Sequence, residues 1–498
     1  MNVNPITRLD YPDPDVIRVE DTYYMVSTTM HFMPGCEILQ SFDLVHWEHA
    51  TYVYETLDHT DAQQLKSGQN IYGQGMWAAS LRYHEGRFYI CFVANDTRKT
   101  YLYTSEKIDG PWKKQLIEGF YHDGSLLFDE DGRNYIVYGN DEIWITELNE
   151  DLTAPKKDGL HRLLVSDHKN PELGYEGSHI QKIHGYYYIF LVYSLRDRWM
   201  RTEACFYSDS LEGEFTGGDV LCDDRGYCGQ GVAQGGIVDT PDGKWYAMLF
   251  QDSGAVGRIP ILLPVTWKDH FPFFGQNGHV PEEIEVHSTR PGYIYQPLVG
   301  SDDFCNGLLP RWQFNHDPDP RYYHLDALQG TYTITTREVC TELTQAVNTL
   351  TQRMSYPSCA AEVTVDASAL KEGDVAGLCA LQGCYAAVGI TKHHGKYEVL
   401  MLDKKEDGIL DMTEGTVVES HQMDFRLEAD FCNMKDEARC YYRVNKGDWL
   451  PIGTVHKLYF KLDHFTGCRF GLFCYAAEET GGSACFRDFK YYDVDEIS

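Results

Sequence analysis

Residues 126–138 read LLFDEDGRNYIVY, which is an apolar segment, a tight polar turn at Asp131-Gly132 and then an aromatic-rich segment. Gly and Asp supply the positive φ angles that the turn of a β-hairpin needs, and β-branched and aromatic residues favour the flanking strands. The pattern occurs four more times, as VIRVEDTYYMV from Val16, SLRYHEGRFYICF from Ser80, HIQKIHGYYYIFLVY from His179 and GIVDTPDGKWYAMLF from Gly236. The first half of the chain therefore contains five similar hairpins.

The spacing of these hairpins predicts how they assemble. Equivalent turn residues follow one another at intervals of 46 to 65 residues, which suits a four-stranded blade with variable loops. Segments with helical periodicity are nearly absent, and this disfavours a parallel sheet with helical crossovers. We predict an all-β fold that begins with a five-bladed β-propeller over residues 1–290.

The symmetry of a propeller brings equivalent residues together around the central channel. The position four residues before the aligned residue of each first strand holds Asp13, Trp77, Asp123, Glu176 and Gln234. One acid at a strand start is typical of a turn cap, but three acids at the same offset indicate a shared site. Asp15 points off this ring by strand alternation and is interpreted as structural.

Carboxylates that face each other across a pocket are the minimal machinery for cleaving a glycosidic bond. One protonates the leaving oxygen, and the other activates water or attacks the sugar; Glu176 and Asp13 fit these roles. Asp123 adds a third negative charge nearby. Like charges raise the pKa of a carboxyl group, which helps to keep the acid protonated near neutrality.

The composition limits the partners of the chain. A formal net charge of −32 repels nucleic acid and anionic membranes, so a neutral substrate is expected.

Fifteen cysteines without a CxxC pair indicate reduced thiols. The first residues, MNVNPITRLDYPDPD, lack a basic region followed by an apolar one, and a cytoplasmic location is expected. The sequence does not indicate an oligomeric state.

A series of short motifs runs through the propeller region. They are Asn4-Pro5, Pro12-Asp13-Pro14, Met33-Pro34-Gly35, Asp43-Leu44-Val45-His46-Trp47, Gly75-Met76-Trp77-Ala78, His122-Asp123-Gly124-Ser125, Glu176-Gly177-Ser178-His179, residues 236–243 and Gly257-Arg258. Their order and content resemble glycoside hydrolase family 43, the inverting β-xylosidases and α-L-arabinofuranosidases. The likeness covers the whole propeller.

This resemblance implies a role for each matching position. Asp13 resembles the general base that activates water, and Glu176 resembles the general acid. Asp123 matches the third carboxylate, which tunes the pKa of the acid and orients it. Arg258 resembles the arginine beside the base and the bound sugar, where its forked donors hold hydroxyl groups.

Two positions depart from the family pattern. Many members carry a His beside a channel water or calcium ion at the fifth ring position, where this chain has Gln234. The family's β-xylosidases often have a Trp where this chain has Phe32. Because aromatic rings pack against the C–H faces of sugars, we expect Trp77, Phe32 and Tyr175 to form the pocket wall.

The patterning changes after residue 300 and predicts a second domain over residues 301–498. Short alternating strands and turns such as His394-Gly395 and Lys446-Gly447 indicate an antiparallel β-sandwich. The region resembles the concanavalin-like jelly roll of family 43 β-xylosidases, which can lend a loop to the active-site rim.

Similar sandwiches imply a structural calcium ion at Asp303 and Asp488, which supply two of its six to eight oxygen ligands. The chemistry itself is expected to need no cofactor.

We therefore expect an exo-acting inverting glycosidase. It would release α-L-arabinofuranose, with β-D-xylose as an additional or main product, from arabinoxylan- or xylan-derived oligosaccharides. A retaining furanosidase on the same fold would use Asp13 as a nucleophile, and the separation of the carboxyl groups distinguishes the two mechanisms. A non-catalytic carbohydrate-binding propeller is an alternative from another class, against which the intact acidic trio argues.

Overall fold

The computed structural model describes residues 3–413 and 415–493. The outermost ends of the two expected domains, residues 1–2 and 494–498, lie outside this range. The described chain is all-β and contains five four-stranded sheets followed by two large sheets, which confirms the prediction of a five-bladed propeller and a sandwich. Among the described residues, no helix is long and apolar enough to cross a lipid bilayer.

Each blade consists of four antiparallel strands that pair in the order of the sequence. One additional short strand, β3, comes between the second and third strands of the first blade along the chain but does not belong to the sheet of that blade. The strands of the propeller region are β1 Asp15–Val19, β2 Thr22–Val26, β3 Phe32–Met33, β4 Gly35–Ser41, β5 Glu48–Tyr54, β6 Met76–His84, β7 Arg87–Ala94, β8 Lys99–Ser105, β9 Lys113–Ile117, β10 Ser125–Phe128, β11 Asn134–Asn140, β12 Glu142–Leu148, β13 His161–Ser166, β14 Glu176–Ile183, β15 Tyr186–Ser194, β16 Arg201–Ser208, β17 Thr216–Leu221, β18 Val232–Asp239, β19 Trp245–Asp252, β20 Arg258–Lys268 and β21 Phe271–Phe274.

The C-terminal domain packs two antiparallel sheets around one large core cluster. Its strands are β22 Gln313–Asn315, β23 Tyr323–Asp326, β24 Thr331–Thr335, β25 Leu350–Arg353, β26 Ser358–Asp366, β27 Asp374–Leu381, β28 Ala386–His393, β29 Lys396–Lys404, β30 Leu410–Met412, β31 Thr416–Val418, β32 Gln422–Asp430, β33 Glu437–Arg443, β34 Leu450–Lys457, β35 Arg469–Ala476 and β36 Ser483–Asp493. Short 3-10 helices span Lys66–Gly68, Gly254–Val256, Leu343–Gln345 and Cys432–Met434.

The five quoted hairpins form the two innermost strands of the five blades. In the hairpin of the third blade, Ser125 pairs with Val137 and Phe128 pairs with Asn134. The turn between them contains Gly132 with a φ of 81°, a backbone conformation that glycine adopts without strain. The local turn chemistry therefore determines the register of the strand that approaches the channel.

Buried polar side chains join the blades below the ring. Asp15 is fully buried, and it accepts hydrogen bonds from the backbone N–H of Leu81 and from Arg82, both at 2.7 Å. Arg82 also donates to the Ser125 hydroxyl and to the carbonyl of Ile180, so one guanidinium contacts the third and fourth blades as well. The structural interpretation of Asp15 agrees with this position.

The two domains share a continuous sheet. Strand β3, in the connection between β2 and β4 of the first blade, pairs with β22 of the sandwich. Phe32 lies opposite Asn315, and Met33 lies opposite Phe314. Arg353 of the sandwich donates to Glu37 of the first blade at 2.8 Å, and both side chains are buried. These contacts hold the sandwich against the face of the propeller that carries the ring residues.

Candidate active site

The five ring positions converge on one cavity. It has a volume of about 560 Å³, within the usual range for a small-molecule site. The cavity is lined by Asp13, Trp77, Ala78, His122, Asp123, Asn140, Glu172, Leu173, Glu176, Trp199, Arg201, Gln230, Gln234, Asp252, Gly254, Arg258, Met434, Phe460, Lys461, Leu462 and Phe465. All five ring residues and Arg258 are in this set.

The backbone at the ring is locally strained or bulged. Asp13, Asp123 and Gln234 have φ angles of 53°, 47° and 63°, which lie in the left-handed region that non-glycine residues rarely adopt. Trp77 and Glu176 lie instead in the segments where the pairing register of their strands shifts, and such bulges redirect side chains. These departures from regular strand geometry turn the five side chains towards the channel.

Asp13 is held by two polar side chains. The hydroxyl of Thr28 donates to its Oδ2 at 2.6 Å, and Nη1 of Arg258 donates to its Oδ1 at 3.0 Å. Nε and Nη2 of Arg258 are buried and have no hydrogen-bond partner among the described residues. Because buried donors are normally satisfied, these two groups are available for hydroxyl groups of a substrate.

Glu176 and Asp123 lie beside a histidine. Nε2 of His122 is 3.5 Å from Oδ2 of Asp123 and 3.7 Å from Oε2 of Glu176. The amide of Asn140 donates to the same Oε2 at 2.8 Å, and the backbone N–H of Gly177 donates to Asp123 at 3.0 Å. Asp13 does not belong to this tight group, since it is held on the first blade and the group lies on the third and fourth.

The charges of this group shift the pKa values of two members. Burial, together with the negative charges of Glu176 and Asp13, raises the pKa of Asp123 to about 6. The positive charge of His122 acts in the opposite direction and lowers this pKa. Burial also lowers the pKa of His122, but Asp123 and Glu176 outweigh this effect and raise it to about 9. Near pH 7 the histidine is therefore a cation beside two carboxyl groups.

His122, Asp123 and Glu176 are also close enough to one another to hold a metal ion. Within the described part of the chain, they form the one group of three His, Cys, Asp or Glu side chains whose ligand atoms lie within 4.8 Å of one another. A metal ion binds the neutral form of histidine, whereas His122 stays protonated up to about pH 9. A metal ion bound here would therefore have to displace the proton of His122.

The prediction that Phe32 lines the pocket is wrong. Its side chain is 1% exposed, and its ring packs over the Arg469 guanidinium at 3.4 Å from the ring centroid. Since Phe32 lies in the strand that pairs with the sandwich, its ring enters a core cluster of that domain. Sequence alone does not show that β3 leaves its blade.

The prediction for Tyr175 is also wrong, whereas Trp77 lines the cavity. Tyr175 immediately precedes Glu176, and adjacent residues of an extended segment point to opposite sides. Its ring packs edge-on against Tyr193 and Phe206, with centroids 5.5 and 5.4 Å apart. Tyr175 therefore supports the blade from behind.

One wall of the cavity comes from the sandwich domain. Phe460, Lys461, Leu462 and Phe465 belong to the loop before β35, and the Phe465 ring centroid lies 4.3 Å from the Arg258 guanidinium carbon. This contact agrees with the expectation that the second domain can contribute to the rim. Sequence patterns do not indicate these residues, because they are more than 200 positions away from every ring residue and share no offset with them.

Asp303 and Asp488 line a separate surface depression on the sandwich. Asp303 is exposed, and its Oδ1 accepts the backbone N–H of Cys305 at 2.9 Å. Within residues 3–413 and 415–493, neither belongs to a group of three close His, Cys, Asp or Glu side chains. The calcium site at these residues stays a prediction.

Asp123→Asn is expected to stabilise the protein at neutral pH and to change its stability little near pH 4. The pKa of Asp123 is raised from 3.8 to about 6, so the folded protein loses stability as the pH rises through this window and the carboxyl ionises. A neutral amide of the same shape avoids this loss. A pKa difference of about 2 corresponds to roughly 3 kcal/mol.

Thermal unfolding of both proteins between pH 4 and pH 7.5 measures this effect. Asp151→Asn, which removes an exposed carboxylate, is the matched control and should follow the wild type at every pH. An Asp123→Asn variant that is no more stable than the wild type at pH 7 would contradict the unfavourable ionisation of Asp123.

Comparison with known proteins shows what both domains are similar to. Residues 3–272 match the family model described as "Glycosyl hydrolases family 43", and residues 301–492 match "Beta xylosidase C-terminal Concanavalin A-like domain". A β-xylosidase of Formosa agariphila is 26% identical over 99% of this chain and 89% of its own length.

Two solved structures are similar over the whole chain. A bifunctional GH43-CE protein of Bacteroides eggerthii is 42% identical, with a TM-score of 0.92 over 100% of this chain, which spans 64% of that protein's length. A GH43 enzyme engineered for both endo-xylanase and exo-arabinofuranosidase activity is 27% identical, with a TM-score of 0.86 over 99% of both chains. The chain therefore belongs to glycoside hydrolase family 43 and is a glycosidase with a concanavalin A-like C-terminal domain.

Proposed function

We propose that this chain is an exo-acting, inverting glycosidase that removes α-L-arabinofuranosyl or β-D-xylosyl residues from the non-reducing ends of neutral xylan- or arabinoxylan-derived oligosaccharides. The observation that carries the proposal is the single cavity that holds Asp13, Asp123 and Glu176. Asp13 acts as the general base, Glu176 as the general acid, and Asp123 as the group that tunes and orients the acid. Catalysis in this family needs no cofactor.

The separation of the Asp13 and Glu176 carboxyl groups distinguishes inversion from retention. Asp13 precedes β1 of the first blade and Glu176 begins β14 of the fourth, so the two residues belong to blades that are not neighbours around the axis. An inverting enzyme keeps a space of roughly 6.5–9.5 Å between the two groups for the attacking water, whereas a retaining enzyme needs about 5 Å. The proposal of inversion rests on the family, in which this mechanism is typical.

The walls of the cavity support an exo mode of action on pentosides. Trp77 and Phe465 pack against each other, with ring centroids 5.6 Å apart, and line the cavity as one apolar wall. Such rings pack against the C–H faces of sugars. The loop of the sandwich closes this side of the cavity. Both pentose specificities occur among similar proteins, since one relative is named a β-xylosidase and a similar structure is described with exo-arabinofuranosidase activity.

A panel of nitrophenyl glycosides, with the product anomer followed by NMR, tests the proposal. We expect release of nitrophenol from the α-L-arabinofuranoside, the β-D-xyloside or both, and little release from hexosides. The first sugar detected should have the anomeric configuration opposite to that of the substrate. A product with retained configuration would disprove the inverting mechanism, and a protein that cleaves neither pentoside nor pentose oligosaccharides would disprove the proposed function.

A further inference from the structure

An exposed tryptophan stands at the mouth of the cavity, beyond the catalytic residues. Trp199 lies in the loop between β15 and β16 and lines the cavity. Its side chain is 42% exposed, so a large part of the indole is open to solvent. A solvated indole at the rim of a sugar-binding cavity has the properties of a stacking platform for a pyranose ring.

A neighbouring arginine holds this platform in place. The guanidinium carbon of Arg201 lies 5.2 Å from the centroid of the Trp199 ring, within the range of a cation–π contact. Arg201 is 7% exposed, and its Nε donates to Asp252 at 2.8 Å. Among the described residues this is the one hydrogen bond that its side chain makes, so both terminal amino groups remain available.

Trp199 and Arg201 lie on the same blade as the general acid, and Asp252 lies on the fifth blade. Glu176 on β14 pairs with Val192 on β15, and Val192 pairs with Glu203 on β16, two residues after Arg201. Two strand spacings place β16 about 10 Å from β14, further from the axis. Since the acid must touch the leaving-group oxygen, the platform lies on the leaving-group side of the cleaved bond.

We propose that Trp199, Arg201 and Asp252 form the binding site for the sugar residue on the leaving-group side. The site takes a neutral pyranose, with one ring face on Trp199 and its hydroxyl groups on the Arg201–Asp252 pair. This inference rests on the proposed function and assigns to these three residues the preference for an oligosaccharide over a simple glycoside.

The charges of the site favour a neutral sugar over a uronic acid. Asp252 offsets the charge of Arg201 through their ion pair, so the site presents donors and acceptors without a large net charge. The exposed carboxylate of Glu172 also lines the cavity and would repel an acidic substituent. A paired guanidinium and carboxylate together match the donor and acceptor pattern of adjacent sugar hydroxyl groups.

Trp199→Ala tests this assignment with two substrates that share the same cleaved sugar. One is the pentose oligosaccharide that the wild type cleaves best, and the other is the corresponding glycosyl fluoride, whose leaving group is too small to occupy the site. We expect kcat/KM to fall about tenfold or more on the oligosaccharide and to stay within about twofold on the fluoride. Trp199→Phe, which keeps an aromatic face, should recover most of the loss.

Phe273→Ala is the matched control. Phe273 is 49% exposed on the fifth blade and does not line the cavity, so its removal should leave both substrates unaffected. Equal losses of Trp199→Ala on the oligosaccharide and the fluoride, or no loss on either, would overturn the assignment of the site. A wild-type protein that cleaves neither substrate would instead overturn the proposed function.

Discussion

Glu176→Gln is expected to lower kcat on pentose oligosaccharides by about a thousandfold, within the range of 10²–10⁴ that general acid catalysis typically contributes. The amide keeps the size of the side chain, and its oxygen can still accept the hydrogen bond that Asn140 donates to Oε2 of the wild type. What it cannot do is transfer a proton to the leaving sugar oxygen. The fold should therefore persist while this step is lost.

The leaving group distinguishes loss of the acid from general damage to the site. A dinitrophenolate departs without protonation, so Glu176→Gln should lose far less activity on the dinitrophenyl glycoside than on the oligosaccharide. Glu150→Gln, which alters an exposed residue outside the cavity, is the control and should match the wild type on both. Activity equal to that of the wild type on the oligosaccharide would reject Glu176 as the acid, as would equal losses on the two substrates.

Asp13→Asn is expected to lower kcat by about a thousandfold or more on every substrate, whatever its leaving group. The attack of water on the sugar needs the base in each case, and an activated leaving group does not replace it. The amide oxygen of Asn can still accept a hydrogen bond from Thr28 or from Arg258, the two partners of Asp13 in the wild type. The loss should therefore reflect chemistry and not collapse of the pocket.

Steady-state kinetics on an oligosaccharide and on a dinitrophenyl glycoside measure this effect, and thermal unfolding checks that the variant is folded. Asp21→Asn removes a partly exposed carboxylate, which pairs with Arg290, from the same blade and should keep full activity. Recovery of most of the activity of Asp13→Asn on the activated substrate would contradict the role of a base. It would place Asp13 on the side of the leaving group instead.

The hairpins and the ring were predictable because both depend on local patterns. Asp131-Gly132 and its counterparts determine the turns, and alternation determines which side chains face the channel. Counting back from the aligned residues of the first strands places Asp13, Trp77 and Asp123 together in the cavity. The prediction is correct although the backbone is irregular at these positions. Each irregular segment lies at the end of its blade next to the channel, so the side chains still face the channel.

The pocket walls were not predictable in the same way. Phe32 was assigned to the wall as part of a blade, but its strand pairs with a sheet of the other domain. Tyr175 points away from its neighbour Glu176. Arg201 and Trp199 carry no motif, and their importance depends on the path of a loop that no short pattern specifies.

The sequence by itself determined the repeating unit, the number of blades and the offset at which three acids recur, because turn chemistry and strand alternation act over a few neighbouring residues. Only the tertiary structure decided which charges meet and what encloses them. The pKa of about 6 for Asp123 arises from burial and from side chains on other blades, and Phe465 reaches the cavity through the packing of a separate domain. Electric fields and steric closure depend on distances in space, and residues far apart in the chain are brought to those distances only when the whole fold is assembled.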